Sequence, residues 1–159
     1  MMIIPEAQTS YYLDSAQNYA DEMSTCVKVK VGSVIVTDTH GIYGCNHGMS
    51  NCKENGCRRI KLYGNASKEH RLPSDCDALH SEIDAISKAA RSGIALAGAT
   101  IFVTRYPCEA CARAIAASGI STVVYGRKEE VSDYTKEILE NAGVEIFHIK
   151  SWEREDNNE

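Results

Sequence analysis

The stretch that decides the fold is TIFVTRYPCEACARAIAASGISTVVY, residues 100–125. It opens with a continuous apolar run, residues 100–104, which is typical of a strand covered on both faces. Small helix-forming residues follow at 108–118, and a second β-branched run occupies 122–125. A strand, a helix and a strand in this order predict two parallel strands joined by a right-handed crossover.

The rest of the chain extends this pattern on both sides. Apolar spacings of three and four residues predict helices before and after the stretch, and β-branched runs bounded by turn residues predict further strands. The helices are expected at 7–24, 80–91 and 131–142, and the strands at 31–37, 41–45 and 144–149. The sequence therefore predicts a three-layer α/β/α fold, with a five-stranded mixed sheet, an antiparallel edge hairpin and helices on both faces.

The length of 159 residues is that of one domain, which we assign to residues 1–150. Residues 151–159 are polar and are predicted to fray as a C-terminal tail, which Trp152 would anchor or use in an oligomer interface. Residues 46–78 are rich in Gly, Asn, Ser and charge. We expect them to form an insertion that is either tied down by a metal or flexible.

Composition narrows the class of partner. The formal net charge of −5 and the pI of about 5.6 disfavour long nucleic acid and favour a small-molecule substrate. The basic cluster Arg58-Arg59-Ile60-Lys61 is still able to hold a single phosphate. No run approaches the length of a membrane span.

Cysteine usage points to metal binding in a reducing compartment. The chain has seven cysteines, an odd number, and its first residues lack the basic start and apolar run of a signal peptide. We therefore expect a cytoplasmic protein, or a protein of the host cytoplasm if the gene belongs to a phage.

Four residues form the candidate catalytic centre: His80, Glu82, Cys108 and Cys111. One imidazole and two thiolates hold zinc with a fourth position open, which is the arrangement of a catalytic zinc site. We expect both ligand groups at helix beginnings, with Asp77 as N-cap of the first helix and Pro107 in the first turn of the second. The positive end of a helix dipole would favour the thiolate form of both cysteines.

The chemistry of this centre follows from the metal and from Glu82. Zinc lowers the pKa of bound water towards about 7, so that hydroxide is available at neutral pH. Glu82 would take the proton and return it to the ring nitrogen and the leaving amine, while hydroxide attacks the carbon that bears the amino group. His-x-Glu with Pro-Cys-x-x-Cys is the signature of zinc-dependent nucleobase deaminases. The alternatives for an isolated Cys-x-x-Cys are a structural zinc knuckle and a redox pair.

Three segments resemble the cytidine deaminase superfamily and, within it, the deoxycytidylate (dCMP) deaminases. Residues 30–35 are similar to the first strand of the family, residues 44–47 to its Gly-Tyr-Asn-Gly segment, and residues 108–120 to its dCMP branch. The resemblance implies a cytidine-deaminase-like fold. It also implies zinc-dependent deamination of dCMP at C4, which gives dUMP for thymidylate synthesis.

The resemblance also assigns roles to single residues. It implies that His80, Cys108 and Cys111 bind zinc, that Glu82 shuttles protons and that Asn46 hydrogen-bonds the nucleotide. Ser81, which replaces the usual Ala, is a further substrate-binding candidate, as are Tyr125 and Arg105, the latter for a 5′-phosphate. A solvated charge at a strand end is the alternative for Arg105. For the whole protein, the resemblance implies a homo-oligomer, often a hexamer, with dCTP and dTTP as allosteric effectors.

The middle of the chain suggests a second, structural zinc. Cys52 and Cys57 lie in a segment poor in apolar residues, so burial in a hydrophobic core does not account for them. A metal bound there would hold the segment in place. Some bacterial and phage relatives have similar cysteines, so the expected ligands are Cys26, Cys52, Cys57 and Cys76, with His70 as the substitute. The alternative is free thiols.

Two rival functions remain open at this point. One is deamination of another substrate, such as cytosine, cytidine, guanine, a tRNA adenosine or dCTP. The other is a non-catalytic, zinc-stabilised nucleotide-binding module.

Overall fold

The computed structural model of the protein describes residues 4–64, 75–128 and 134–152. Within them the helices are α1 (Glu6–Met23), α2 (Cys52–Asn55), α3 (Arg58–Tyr63), α4 (Ser81–Arg91), α5 (Glu109–Ser118) and α6 (Tyr134–Asn141), followed by a 3₁₀ helix at Lys150–Trp152. The strands are β1 (Gly32–Val36), β2 (Gly41–Cys45), β3 (His47–Gly48), β4 (Ala78–Leu79), β5 (Thr100–Arg105), β6 (Thr122–Arg127) and β7 (Glu145–His148). None of these helices is both long and apolar enough to cross a membrane.

Five strands form the central sheet in the order β2-β1-β5-β6-β7. β1 runs antiparallel to both β2 and β5, whereas β5, β6 and β7 are parallel. The predicted mixed sheet with an antiparallel hairpin at one edge is therefore confirmed. Its parallel half is built from the strand–helix–strand stretch at residues 100–125.

Alternate residues of the central strands supply two separate cores. Ile101 and Val103 of β5 pack with α4, α5 and α6, whereas Phe102, between them, packs with α1. All three side chains are fully buried, as the period of two along a strand requires when both faces are covered. The three layers of the fold follow from this alternation.

Trp152 closes the core on the α1 face. Its side chain is 6% exposed, and its indole N–H donates a hydrogen bond of 3.0 Å to Asp14. Gly126 of β6 makes room for the ring, because a Cβ at that position would lie 2.1 Å from Trp152 Cε3. Trp152 therefore anchors the start of the predicted tail.

The insertion at residues 46–78 contains regular structure where it is described. β3 pairs antiparallel with β4, and α2 and α3 lie between them in the chain. The Tyr63 hydroxyl donates a 2.6 Å hydrogen bond to Asp75, which ties the end of α3 to the chain that leads into β4. His70, the substitute metal ligand, lies outside the described residues.

The prediction that Asp77 caps α4 is wrong. Its carboxylate instead accepts hydrogen bonds from the backbone N–H and the hydroxyl of Ser50, at 3.1 and 2.6 Å. The pairing of β4 keeps the next residues extended, so the helix begins only at Ser81 and His80 becomes its N-cap.

Candidate metal centre and active site

Two helix beginnings position the candidate metal ligands. His80 is the N-cap of α4 and Cys108 is the N-cap of α5, both with extended backbone, and Cys111 lies in the first turn of α5. The expected location at helix beginnings is confirmed. Pro107 lies just before the N-cap of α5 rather than in its first turn, because the helix begins at Glu109.

The three ligand atoms converge on one point. Cys108 Sγ and Cys111 Sγ each lie 3.4 Å from His80 Nδ1, and all three atoms lie within 4.8 Å of one another. Zinc bonds of about 2.3 Å to sulfur and 2.0–2.1 Å to nitrogen place tetrahedral ligands roughly 3.5 Å apart. The donor set and its spacing therefore fit one zinc ion with three protein ligands.

The environment of the ligands favours metal binding. Hydrogen bonds from the Cys111 thiol and from His80 outweigh burial and hold the pKa of the Cys108 thiol far below its ordinary value. Cys111 is buried and Cys108 partly buried, but His80 is exposed, so the group is open to solvent on one side. A thiolate at a solvent-accessible position suits both metal entry and a small-molecule substrate.

Glu82 lies in the first turn of α4 and is only 4% exposed. Burial raises the pKa of its carboxyl group above the ordinary value. The Ser81 hydroxyl donates a 3.1 Å hydrogen bond to Glu82 Oε2, and Ser81 is itself fully buried. The hydrogen bond with Cys108 and burial raise the pKa of the Cys111 thiol, and the nearby Glu82 carboxylate raises it further. Glu82 therefore lies beside the metal group without being one of its three members.

Asn46 has a structural role that the sequence did not indicate. Its Oδ1 accepts hydrogen bonds from Val31 N–H at 2.9 Å and from the Ser24 hydroxyl at 2.7 Å. Its Nδ2 donates to the Val29 carbonyl at 2.8 Å. An amide group has two N–H donors, so one remains for a ligand. The role of Asn46 in substrate binding stays a prediction.

The remaining predicted substrate contacts lie at two places in the fold. Tyr125 is buried in β6, stacked on His148 with ring centres 4.6 Å apart and edge-on to Tyr106. Arg105 ends β5 and pairs in register with Arg127 of β6. The contacts of Tyr125 and Arg105 with substrate stay predictions.

A charged network behind Glu82 was not predicted. Asp84 is 5% exposed and interacts with His47 at 3.0 Å, with Lys88 at 2.7 Å and with the Cys45 backbone N–H at 3.1 Å. Lys88 Nζ also donates to the Tyr19 hydroxyl at 3.0 Å. The only signal in the sequence was the i, i+4 spacing of an acid and a base, which is common on exposed helices and does not indicate a buried network.

The four remaining candidate ligands lie in one region. The pKa of the Cys52 thiol is raised by burial and by the charges of Cys57, Cys26 and Cys76. Among the described residues, however, only His80, Cys108 and Cys111 form a group of three or more His, Cys, Asp or Glu ligand atoms within 4.8 Å of one another. The second zinc site stays a prediction.

Comparison with known proteins places the chain in a family. The family model of the cytidine and deoxycytidylate deaminase zinc-binding region matches residues 6–127. ComE operon protein 2 of Bacillus subtilis is 32% identical over 131 residues, which cover 80% of this chain and 64% of that protein. The deoxycytidylate deaminase of Mycobacterium phage D29 is 36% identical over 122 residues, which cover 74% of this chain and 93% of the phage protein.

The matched relatives differ in length, and a solved structure has the same fold. The chain spans between 42% and 64% of the length of five matched relatives. The dCMP deaminase of cyanophage S-TIM5, solved with dCMP and dUMP, superposes with a TM-score of 0.69 at 23% identity, covering 92% of this chain and 99% of that one. That similarity shows the cytidine-deaminase-like fold. With the family match over most of its length, the chain belongs to the cytidine and deoxycytidylate deaminase zinc-binding family.

Proposed function

We propose that this protein is a zinc-dependent deaminase that converts dCMP and water to dUMP and ammonia. The observation that carries the proposal is the group His80, Cys108 and Cys111 with the buried carboxylate of Glu82 beside it. The phage D29 relative, which this chain spans almost completely, is a deoxycytidylate deaminase. The S-TIM5 structure holds dCMP and dUMP in the same fold.

In this mechanism His80, Cys108 and Cys111 hold the zinc ion. When bound, zinc supplies a Lewis acid that lowers the pKa of water towards about 7. Glu82 would accept the first proton of the attacking water and deliver it to N3 of the pyrimidine. It would then accept the proton of the hydroxyl group formed on C4 and deliver it to the amino group, which leaves as ammonia while the C4 carbonyl forms. The same carboxylate therefore acts first as base and then as acid.

The position of Glu82 suits this double role. Burial raises the pKa of its carboxyl group, so the residue holds a proton more readily between the two transfers than an exposed glutamate does. The hydrogen bond from Ser81 holds one carboxylate oxygen of Glu82 in place. Ser81 thus acts on the substrate through Glu82.

Asn46, Tyr125 and Arg105 complete the proposed substrate site. Asn46 offers its remaining N–H to the sugar. Tyr125 lies in β6, which pairs with β5, and Arg105 is the last residue of β5, shortly before Cys108. We further propose a cytoplasmic homo-oligomer regulated by dCTP and dTTP. Sedimentation of the purified protein and assays with each nucleotide added test these two statements.

Ammonia release from dCMP, cytidine, guanine and dCTP tests the substrate. Turnover of dCMP at the highest kcat/KM is the expected result. If dCMP is inert while another compound is deaminated, the substrate assignment fails. If no compound is deaminated by protein that contains zinc, a nucleotide-binding module becomes the better description.

We also propose a second, structural zinc held by Cys26, Cys52, Cys57 and Cys76. The electrostatic influence of the other three thiols on Cys52 supports it, because four thiols gathered in one region are a donor set that binds zinc. Metal analysis should give two zinc ions per chain, falling to one in Cys52→Ser. Cys45→Ser is the matched control, since Cys45 is buried at the end of β2 and lies outside the proposed set. One zinc per chain, unchanged in Cys52→Ser, removes the site.

A further inference from the structure

Ser33 carries a fully buried hydroxyl group on the face of β1 that packs against α4. Ile35 shares that face and packs with Ala85 of α4, whereas Val34 packs on the opposite face with α1. An unpaired hydroxyl group in such a core costs free energy, so the group needs a hydrogen-bond acceptor. It donates a 2.8 Å hydrogen bond to the backbone carbonyl oxygen of Ser81, the first residue of α4.

Gly44 lies directly across from Ser33 and allows this carbonyl group to approach the sheet. The two residues are partners in the antiparallel pairing of β1 with β2. A Cβ on Gly44 would lie 2.1 Å from the Ser81 carbonyl oxygen, so a residue with a side chain would exclude that oxygen. The Ser33–Gly44 pair therefore holds one carbonyl group of α4, with a donor on one strand and free space on the other.

The helix does not need the bond from Ser33 in order to form. A carbonyl group inside an α-helix accepts from the N–H four residues later, and α4 continues from Ser81 to Arg91. A carbonyl oxygen has two lone pairs, so the Ser33 hydroxyl makes a second bond to an acceptor that the helix already satisfies. This second bond fixes the orientation of the peptide group.

The peptide group that Ser33 holds is the one that leads into Glu82. The Ser81 carbonyl and the Glu82 N–H belong to the same planar unit, so its orientation sets the direction in which the Glu82 side chain leaves the helix. The Ser81 hydroxyl then contacts the carboxylate itself, donating a 3.1 Å hydrogen bond to Glu82 Oε2. Ser33 and Ser81 are fully buried and Glu82 is 4% exposed, so bulk water does not compete for these bonds.

We propose that Ser33 is a positioning residue for deamination, which holds the Ser81–Glu82 peptide group so that the Glu82 carboxylate stays within reach of the attacking water. This role rests on the proposed deaminase function and adds a residue of β1 to it. A general base has to lie about 2.6–3.2 Å from the group whose proton it accepts, and a displacement of about 1 Å costs roughly 100-fold in rate. Because Ser33 contacts the Ser81 carbonyl, its effect passes through the position of Glu82.

Steady-state kinetics of Ser33→Ala tests the role, with the substrate that the wild type deaminates best. The variant loses one oxygen atom and keeps the apolar contacts of its Cβ. We expect kcat to fall by about 10-fold and KM to stay within about twofold of the wild type, since a displacement smaller than 1 Å costs less than the full effect. A wild-type kcat in Ser33→Ala overturns the proposal.

Zinc content and product binding separate a positioning role from a structural one. His80 is the N-cap of the same helix, so movement of the whole helix would displace a metal ligand as well. We expect Ser33→Ala to keep the zinc content of the wild type and to bind the reaction product with unchanged affinity in calorimetry. A loss of zinc, or a loss of product affinity as large as the loss of kcat, overturns the proposal.

A double variant tests whether the effect passes through the carboxylate. In a Glu82→Gln background, Ser33→Ala should change the residual single-turnover rate by less than about twofold, because residues that act as a unit are not additive. A further loss of about 10-fold in that background means that Ser33 acts independently of Glu82, which overturns the proposal.

Ser121→Ala is the matched control. Its hydroxyl also donates to a backbone carbonyl, that of Gly98 at 3.1 Å, but it lies just before β6, at the opposite end of the parallel strands from Cys108. We expect a wild-type kcat in this control, and an equal fall in both variants overturns the proposal. If Ser33→Ala does not fold, Ser33→Cys, which keeps only a weak donor, decides by the same measurements.

The wild-type assay distinguishes failure of this role from failure of the proposed function. If the wild type deaminates no substrate, the proposed function fails and the role of Ser33 fails with it. If the wild type is active and Ser33→Ala has the same kcat, only the role of Ser33 is overturned.

Discussion

His47 Nε2 lies 3.0 Å from Asp84 Oδ1. This contact joins the first residue of β3 to α4, the helix that carries Glu82. The other carboxylate oxygen of Asp84 accepts from Lys88 and from the Cys45 backbone N–H. An ionised carboxylate only accepts hydrogen bonds, so His47 must carry a proton on Nε2. Burial opposes ionisation of Asp84, but the bonds from Lys88, His47 and Cys45 outweigh it and hold the pKa of its carboxyl below the ordinary value.

Asp84→Asn should destabilise the protein at neutral pH by about 2–3 kcal/mol. The change removes a buried charge on which Lys88 and His47 depend, and hydrogen bonds to charged groups contribute about 1.5–3 kcal/mol each. Urea denaturation of both proteins at pH 7 measures the difference. Asp38→Asn, in the exposed turn before β2, should stay within about 0.5 kcal/mol of the wild type.

The cost of Asp84→Asn should depend on pH in one direction. Because the folded pKa of Asp84 lies below its unfolded value of about 3.9, its stabilisation is complete above about pH 5 and disappears as the pH falls through the folded pKa. The gap between the wild type and Asp84→Asn should be constant from pH 7 to about 5 and should narrow in more acidic solution. A gap that widens in acid contradicts a depressed pKa.

Glu82→Gln should abolish most turnover while the zinc stays bound. The amide cannot accept the proton from water, and general acid–base catalysis contributes about 10²–10⁴-fold. Single-turnover assays and metal analysis on the same sample measure both quantities. Glu137→Gln, an exposed glutamate of α6, is the control and should keep full activity. Full activity of Glu82→Gln would remove this residue from the mechanism.

Gly44→Ala should weaken both stability and catalysis, whereas Gly41→Ala on the same strand should not. A Cβ on Gly44 would lie 2.1 Å from the Ser81 carbonyl oxygen and 2.7 Å from the Ala85 nitrogen, both in α4. A Cβ on Gly41 meets its nearest atom only at 3.9 Å. Overpacking of this kind costs about 1–3 kcal/mol and moves the helix that carries Glu82. Thermal unfolding and kcat for dCMP report the two effects, and equal values for the two variants contradict the prediction.

Trp152→Ala should lower the free energy of unfolding by about 3–5 kcal/mol without altering the candidate active site. The ring is buried with Leu13 and Phe102 on the α1 face, opposite the face packed by α4 and α5. The folded variant should therefore keep its zinc and its kcat. Trp152→Phe should cost less, since it loses mainly the hydrogen bond to Asp14. A wild-type Tm in Trp152→Ala would show that the ring does not hold the chain end.

Predictions of strands and helices that depended on the local sequence were confirmed, whereas the helix cap, which depended on pairing between distant residues, was predicted wrongly. The strand and helix positions of residues 100–125 follow from local periodicity, and so does the placement of the metal ligands at helix beginnings. The cap of α4 was assigned wrongly to Asp77, because an N-cap at this position requires the residues directly after it to be helical, and they form β4 instead. Pairing of Gly48 with Ala78, residues far apart in the chain, kept that segment extended.

The sequence by itself predicted the mixed sheet and singled out His80, Cys108 and Cys111 as candidate metal ligands, because the spacing of apolar residues and of zinc-binding side chains is a local property. Tertiary structure alone decided that Asp84 is buried between His47 and Lys88 and that Asn46 is held by Ser24 and Val31. These relationships join residues from separate elements, and only packing of the sheet, the helices and the insertion brings their charges and hydrogen-bonding groups together.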